Sequence, residues 1–247
     1  MNQQIRIAYL IKESDSLNKI ANSFGTSSYE ILKNNKHITE NKLHTDELIS
    51  IVPCTHINNN TKTQQLEEQL ENLTILYNIL HKRFGEMLFW SYAYIISSLD
   101  ETEDITYVQN RVARIPKEIA NIFRPYYPVE EVQKIEDIII GHFLVVTNLI
   151  SALKRGSQVE YDLLNKELYK NADEFVNVIL QLNPSLNEEL FRSLLYDYID
   201  SLKKIMSNRN NQTFVQEMIN VDAALAQILL IANYLALGLS KQFSDRF

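Results

Sequence analysis

Glycine and proline, which most often mark tight turns and interrupt helices, are scarce in this chain, with five of each among 247 residues. A fold made of many short strands needs many tight turns, whereas long helices need few. The scarcity therefore predicts a mainly α fold. With 45% hydrophobic and 22% charged residues, the chain has the composition of a globular protein that can form an apolar core.

Charge and cysteine content limit the kinds of site that the chain can contain. The formal net charge is -7, and the sequence has no concentrated basic face for neutralising phosphates, so we expect no nucleic-acid partner. Cys54 is the only cysteine, which excludes an intramolecular disulfide and a cysteine-based zinc site. None of the five histidines follows a glutamate by three residues, as a di-metal bundle would require. We expect no metal and no cofactor.

The sequence also carries predictions about targeting. Residues 1–9 lack the basic start and apolar stretch of a signal peptide, which predicts synthesis in the cytoplasm without classical secretion. The two most apolar segments, residues 138–153 and 223–239, are interrupted by polar residues. Both fall short of the roughly 20 apolar residues of a membrane span, so we expect buried helices and no span.

The first 53 residues show the pattern of a strand, two short helices and a second strand. Apolar residues alternate with polar or small ones in the first strand, namely Ile5, Ile7, Tyr9 and Ile11. Residues 14–16 supply helix-capping side chains, and the helix that follows stops at Gly25. A second helix fits residues 28–34, and residues 48–52 form the closing strand before Pro53.

Several residues of this segment match one known pattern in order and spacing. They are Tyr9, Ser14-Asp15-Ser16-Leu17, Ile20-Ala21, Phe24-Gly25-Thr26-Ser27, Ile31-Leu32, Asn35 and residues 49–53. With them the segment resembles the LysM (lysin motif) family. The resemblance implies a small βααβ module with a shallow groove for peptidoglycan or another glycan that contains N-acetylglucosamine, held there by backbone groups.

The resemblance also assigns the groove, between the turn after the first strand and the loop before the second. Its lining residues would be Glu13, Ser14, Asp15 and Ser16 on one side, and His37, Ile38, Leu43 and Thr45 on the other. Ser14 and Asp46 stand where the family prefers glycine, and a side chain at a point of close approach can clash with a ligand. Two interpretations stay open: weak glycan binding that needs several copies or a partner, or a LysM fold that serves as a protein-docking surface or structural cap.

Residues 54–65 are polar, and we interpret them as a linker between a module at 1–53 and a helical domain at 66–247. Beyond the linker, apolar residues recur at alternating steps of four and three, at Leu66, Leu70, Leu73, Tyr77, Leu80, Phe84 and Met87. This heptad spacing predicts one long helix with an apolar seam. We expect the seam to pack within the chain, with a homodimer as the alternative.

The helical domain contains an internal repeat. Residues 117–154 align with 173–210 without gaps, and Pro128 then falls on Pro184. Each copy has the pattern of a helix, a proline-marked turn and a second helix, which predicts two similar hairpins. Together with the long first helix and a last helix near 213–242, the repeat favours an all-α bundle of some six helices.

No motif of an active site is recognisable in the helical domain. Phosphate-binding loops, nucleophile elbows and Cys/His pairs are absent from the sequence. His142 lies among apolar residues, and we interpret it as a core residue. Asn171, Asp173 and Glu174 are interpreted as inter-helix hydrogen-bonding groups or a polar patch. We therefore predict no catalytic residues.

A second set of residues suggests a relationship for the region from about Phe84 onward. They are Trp90, Arg111, Pro125-Tyr126-Tyr127, His142, Asn171-Ala172-Asp173, Asn183-Pro184 and Lys241-Gln242-Phe243. With them the region is similar to an uncharacterised group from spore-forming Gram-positive bacteria. That group carries histidines near positions 87 and 198, where this chain has Met87 and Tyr198. The resemblance implies that any metal or polar site built on those histidines is mostly lost here.

These predictions combine into a non-enzymatic protein of the cell wall or a spore layer. The module would bind peptidoglycan or dock on a partner, and the bundle would contact other envelope or spore-layer proteins. The alternatives are a wall-targeted helical enzyme, either a hydrolase or a metal-dependent protein, and a component of a phage tail or injection machine.

Overall fold

A computed structural model describes residues 7–12, 15–36, 38–39, 43–45, 47–53 and 61–247. The chain divides into two compact units, Met1–Thr63 and Gln64–Phe247. In chain order, the elements of the first unit, here called the N-terminal module, are β1 (Ile7–Leu10), α1 (Leu17–Ser23), α2 (Ser28–Asn34) and β2 (Leu48–Ile51). The predicted βααβ order is confirmed.

The two strands of the module pair antiparallel, with Tyr9 opposite Ile49 and Leu10 opposite Leu48. Side chains from all four elements form a core of their own. Its buried members are Ile11, Leu17, Ile20, Ala21, Ile31, Ile38, Ile49 and Ile51. Tyr9 and Phe24 close one side of this core with their rings edge to face, 5.2 Å apart between centroids.

Serine side chains begin both helices of the module. Ser16 accepts a hydrogen bond from the Lys19 backbone N–H at 3.3 Å, and Ser27 accepts one from Glu30 N–H at 3.1 Å. Of the three capping residues expected at 14–16, Ser16 is the N-cap. Gly25 follows α1 with φ of +59°, a left-handed conformation that glycine adopts without strain, so the predicted stop of this helix is confirmed.

Asn35 joins α2 to β2. Its side chain is 2% exposed, and its Nδ2 donates to the Ile31 carbonyl at 2.8 Å and to the Ser50 carbonyl at 2.6 Å. The Ser50 backbone N–H in turn donates to Asn35 Oδ1 at 2.7 Å. One amide group therefore satisfies three backbone groups between the helix end and the strand.

The second unit, here called the helical unit, is all α. In its described part the helices are α3 (Thr61–Leu99), α4 (Ile105–Val112), α5 (Ile115–Phe123), α6 (Val129–Lys154), α7 (Gln158–Leu182), α8 (Glu188–Asn210) and α9 (Phe214–Gln242). The expected mainly α class is confirmed. The expectation of about six helices missed the short α4, and α3 begins at Thr61, inside the segment interpreted as a linker.

The heptad seam of α3 is divided between core and solvent. Leu80, Phe84 and Met87 are buried, as intramolecular packing predicts, whereas Leu66 and Leu70 are 59% and 54% exposed. The expectation that the whole seam packs within the chain is therefore wrong for its first turns.

The repeat produces the two predicted hairpins. Residues 124–128 separate α5 from α6, and residues 183–187 separate α7 from α8. Pro128 stands immediately before α6, where its missing N–H costs no helical hydrogen bond. α6 packs against α7, α7 against α8, and α8 against α9. One continuous apolar core lies between these helices.

The predicted helices over the two most apolar segments are present as α6 and α9. By length and composition alone, both could also cross a membrane. Their apolar windows are 39% and 44% buried inside the protein, and both helices supply side chains to the common core. The absence of a membrane span remains a prediction.

Candidate glycan-binding groove and buried sites of the helical unit

The strand pairing brings both sides of the predicted groove to one end of the module's sheet. Leu10 pairs with Leu48, and the Ile11 backbone N–H donates to the Glu47 carbonyl at 3.0 Å. The segment that follows β1 and the segment that precedes β2 therefore leave the sheet side by side. Of the groove residues predicted from the sequence, Glu13, Ser14 and His37 lie outside the described residues, as does Asp46.

Asp15 organises the turn after β1. Its carboxylate accepts hydrogen bonds from the Lys12 backbone N–H at 2.9 Å and from the Tyr9 hydroxyl at 2.7 Å. The Lys12 N–H, and after it the Tyr9 hydroxyl, lower the pKa of this carboxyl group below its ordinary value. The hydrogen bond from the Tyr9 hydroxyl to the Asp15 carboxylate raises the pKa of Tyr9. The Asp15 carboxylate thus connects the start of α1 to the end of β1.

The other described groove residues divide by exposure. Ser16 is exposed, and its hydroxyl caps α1. Thr45 is exposed on the opposite segment. Leu43 is half-buried against the module's core, and Ile38 is 4% exposed within that core. A ligand in the groove would therefore reach the side chains of Ser16 and Thr45, but only the backbone of Ile38.

Residues 9–51 match the family model of the LysM domain. The match covers the second half of β1, both helices and β2. LysM domains bind peptidoglycan and related glycans containing N-acetylglucosamine. The chain therefore carries a LysM domain in this region. No curated protein and no solved structure matches the chain. The similarity of the helical unit to proteins of spore-forming bacteria stays a prediction.

The polar residues that the sequence singled out on α7 connect neighbouring helices. Asn171 Nδ2 donates to the Ile138 carbonyl of α6 at 2.9 Å. Asp173 pairs with Arg192 of α8 and accepts a hydrogen bond from the Tyr196 hydroxyl at 2.8 Å. These contacts confirm the interpretation as inter-helix hydrogen-bonding groups for Asn171 and Asp173, whereas Glu174 lies 3.8 Å from Lys170 of its own helix, at the surface.

His142 of α6 is 8% exposed and lies in the wall of a cavity inside the helical unit. Burial lowers its pKa to about 4, so the imidazole is neutral near pH 7. Met87 of α3 and Tyr198 of α8 line the same cavity, and the Tyr198 ring stacks on the imidazole with 6.3 Å between centroids. In the described part of the chain, no group of three or more His, Cys, Asp or Glu could hold a metal ion.

A buried charge network was not predicted from the sequence. Glu217 of α9 is fully buried, accepts a hydrogen bond from the Tyr92 hydroxyl at 2.8 Å, and lies 3.6 Å from Arg209 Nη1. Arg209 also pairs with Asp100 at the end of α3. Glu217 lies in the first turn of α9, where acidic residues are common and usually solvated, so no sequence signal identifies its burial.

A second network joins α3, α4 and α5. Glu118 Oε2 lies 3.0 Å from Arg83 Nη1 and 3.1 Å from Arg111 Nη2. The Arg111 guanidinium carbon lies over the Trp90 ring, 5.3 Å from its centroid. Because Glu118 pairs with both arginines, this cluster is a structural junction between the three helices.

The two proline-marked turns and the end of α9 form a third junction. The Tyr127 hydroxyl donates to Gln242 Oε1 at 2.7 Å, and Gln242 Nε2 donates to the Leu182 carbonyl at 2.7 Å. Tyr127 and Gln242, which belong to the residues that carry the resemblance to the uncharacterised group, thus connect the ends of the two hairpins.

Proposed function

We propose that the chain binds peptidoglycan or a related glycan containing N-acetylglucosamine through the N-terminal module. The observation that carries this proposal is the match of residues 9–51 to the LysM domain, together with the juxtaposition of the two groove segments at one end of the sheet. The groove comprises Glu13, Ser14, Asp15, Ser16, His37, Ile38, Leu43 and Thr45.

The described residues support recognition by the backbone and by short polar side chains. Asp15 is already bonded within its own turn, and Ile38 is part of the core. Ser16 and Thr45 offer hydroxyl groups but no charge, which suits a neutral acetamido sugar. The contact area of such a small module is limited, so firm attachment to the wall depends on several copies or on a partner.

We further propose that the helical unit has no catalytic activity and contacts other proteins of the envelope or of a spore layer. Charged residues on different helices pair with one another, as Arg83 does with Glu118 and Arg192 with Asp173. Exposed apolar side chains include Leu66 and Leu70 near the start of α3. Exposed apolar groups at helical spacing favour contact with another protein.

The experiment is retention of the full chain on purified peptidoglycan at low salt, with chitin-type oligosaccharides as soluble competitors. Thr45→Arg places a long side chain on the groove segment before β2. Asn22→Arg adds the same charge near the C-terminal end of α1, an exposed position about 8 Å along the helix from its first turn.

We expect the wild type and Asn22→Arg to be retained and released by the oligosaccharides, and Thr45→Arg to lose most of its retention. Since both variants carry one added positive charge, attraction to an acidic wall polymer cannot explain a difference between them. If the wild type is not retained, or if both variants are retained equally, the proposed groove is wrong.

A further inference from the structure

The cavity beside His142 lies between the helices of the helical unit. Its volume is about 50 Å³, and apolar side chains from α3, α5, α6, α7, α8 and α9 form most of its wall. A site for one water molecule needs about 10–15 Å³ measured in this way. The cavity therefore has room for about three to five non-hydrogen atoms.

Two polar groups in this wall are unsatisfied. Among the described residues, His142 Nε2 has no hydrogen-bond partner although the side chain is more than nine-tenths buried. The Tyr198 hydroxyl, which is also buried, lies near the Ser91 side chain but makes no hydrogen bond of acceptable geometry to any described residue. Leaving such a group unpaired costs about 1–3 kcal/mol of stability. Native interiors rarely keep two of them in one cavity without a ligand or ordered water.

The wall of the cavity also defines the charge of an occupant. The described residues that line it include no Lys, Arg, Asp or Glu. An ionised molecule would lose its hydration without gaining a counter-charge, which is strongly unfavourable. A neutral imidazole and a phenol can each donate or accept one hydrogen bond, so a single hydroxyl or carbonyl group of an occupant can pair with either of them.

We infer that this cavity binds a small neutral molecule that carries one hydroxyl or carbonyl group on a short hydrocarbon chain. The polar group of the ligand pairs with His142 Nε2 and the Tyr198 hydroxyl, and its hydrocarbon part contacts the apolar wall formed by residues such as Met87, Phe175 and Ile228. This site is independent of the proposed glycan groove, because it lies wholly within the helical unit.

The probe is 1-propanol, whose four non-hydrogen atoms fit the volume of the cavity. It is titrated at millimolar concentration into the full chain while the histidine ring signals are followed by NMR. Propionate and propylammonium, which are similar in size but charged, serve as matched ligands. His81 is the internal control, because it does not line the cavity and its Nε2 already contacts Asn233 Oδ1 at 2.5 Å.

We expect saturable shifts of the His142 signals with 1-propanol, none at His81, and none with the two charged molecules. Tyr198→Phe keeps the ring and removes the hydroxyl, and should weaken 1-propanol binding by about three- to tenfold. His142→Leu tests directly whether the imidazole contributes to 1-propanol binding. If the His142→Leu variant does not fold, Tyr198→Phe still tests the site.

Three results would overturn the inference. Equal His142 shifts for the neutral and the charged molecules would show that the cavity does not select by charge. Shifts at His81 as large as those at His142 would indicate a general solvent effect. The third is a crystal soaked in 1-propanol in which ordered water, and no propanol, occupies the cavity.

Discussion

Replacing Asn35 with aspartate should unfold much of the N-terminal module. Aspartate keeps an acceptor for the Ser50 N–H but loses both donor bonds, to the Ile31 and Ser50 carbonyls at 2.8 and 2.6 Å. It also places a carboxylate against two carbonyl oxygens in a site that is 2% exposed in the native chain. Two lost hydrogen bonds and the unpaired groups they leave give a cost of about 2–4 kcal/mol.

That cost is large for so small a unit. A module of about 45 residues usually has a free energy of unfolding of about 2–7 kcal/mol. Asn34→Asp is the matched control, because Asn34 also lies at the end of α2 but, among the described residues, donates one bond, to the Glu30 carbonyl of its own helix at 2.8 Å. Its expected cost is no more than about 1.5 kcal/mol.

The assay is hydrogen–deuterium exchange of the full chain, read on peptides of the module. Tryptophan fluorescence is unsuitable, because Trp90 is the only tryptophan and lies in the helical unit. Protection of the β2 amides should fall by about 30- to 700-fold in Asn35→Asp, while peptides of α6 to α9 stay unchanged. Equal protection in the Asn35 and Asn34 variants would refute the role assigned to Asn35.

Three further predictions concern other described contacts. Tyr9→Phe should raise the pKa of Asp15 toward 3.8, measured by NMR titration. The lowered pKa stabilises the fold above 3.8, and this contribution is lost as pH falls through the folded-state pKa; an unchanged pKa would contradict the Tyr9 contact. In Gly238→Ala the new Cβ would lie 2.8 Å from a Leu186 methyl group, whereas in Gly85→Ala it would meet no described residue within 4 Å. The free energy of unfolding, measured in urea, should therefore be about 1–3 kcal/mol lower for Gly238→Ala than for Gly85→Ala. Glu217→Gln should lower the free energy of unfolding by about 1–3 kcal/mol in the same assay, and a neutral effect would show that the ion pair is dispensable.

The fold of the module could be predicted because several local signals agree. Strand alternation, the capping serines and Gly25 each act within a few residues, so the sequence displays them directly. The hairpins of the helical unit were predictable for a similar reason, since Pro128 and Pro184 mark equivalent turns. Element boundaries were less certain: residues 61–65 are helical but carry no apolar periodicity.

Burial and pairing across distant segments could not be predicted. The buried Glu217 pairs with Tyr92, which is far away in sequence, and with Arg209 of the preceding helix. In the groove, Ile38 was assigned to the lining by position, but its side chain turns into the module's core. Such outcomes depend on tertiary packing, which a local pattern does not encode.

The Glu217 network predicts how the helical unit responds to truncation. Tyr92, Arg209 and Glu217 come from α3, α8 and α9, and Arg209 is shared between Glu217 and Asp100. A fragment that ends after α8 would keep the guanidinium but lose its buried partner, and would expose the apolar surface that α9 covers. The helical unit is therefore expected to behave as one indivisible cooperative block, in which the last helix is required for the first to remain in place.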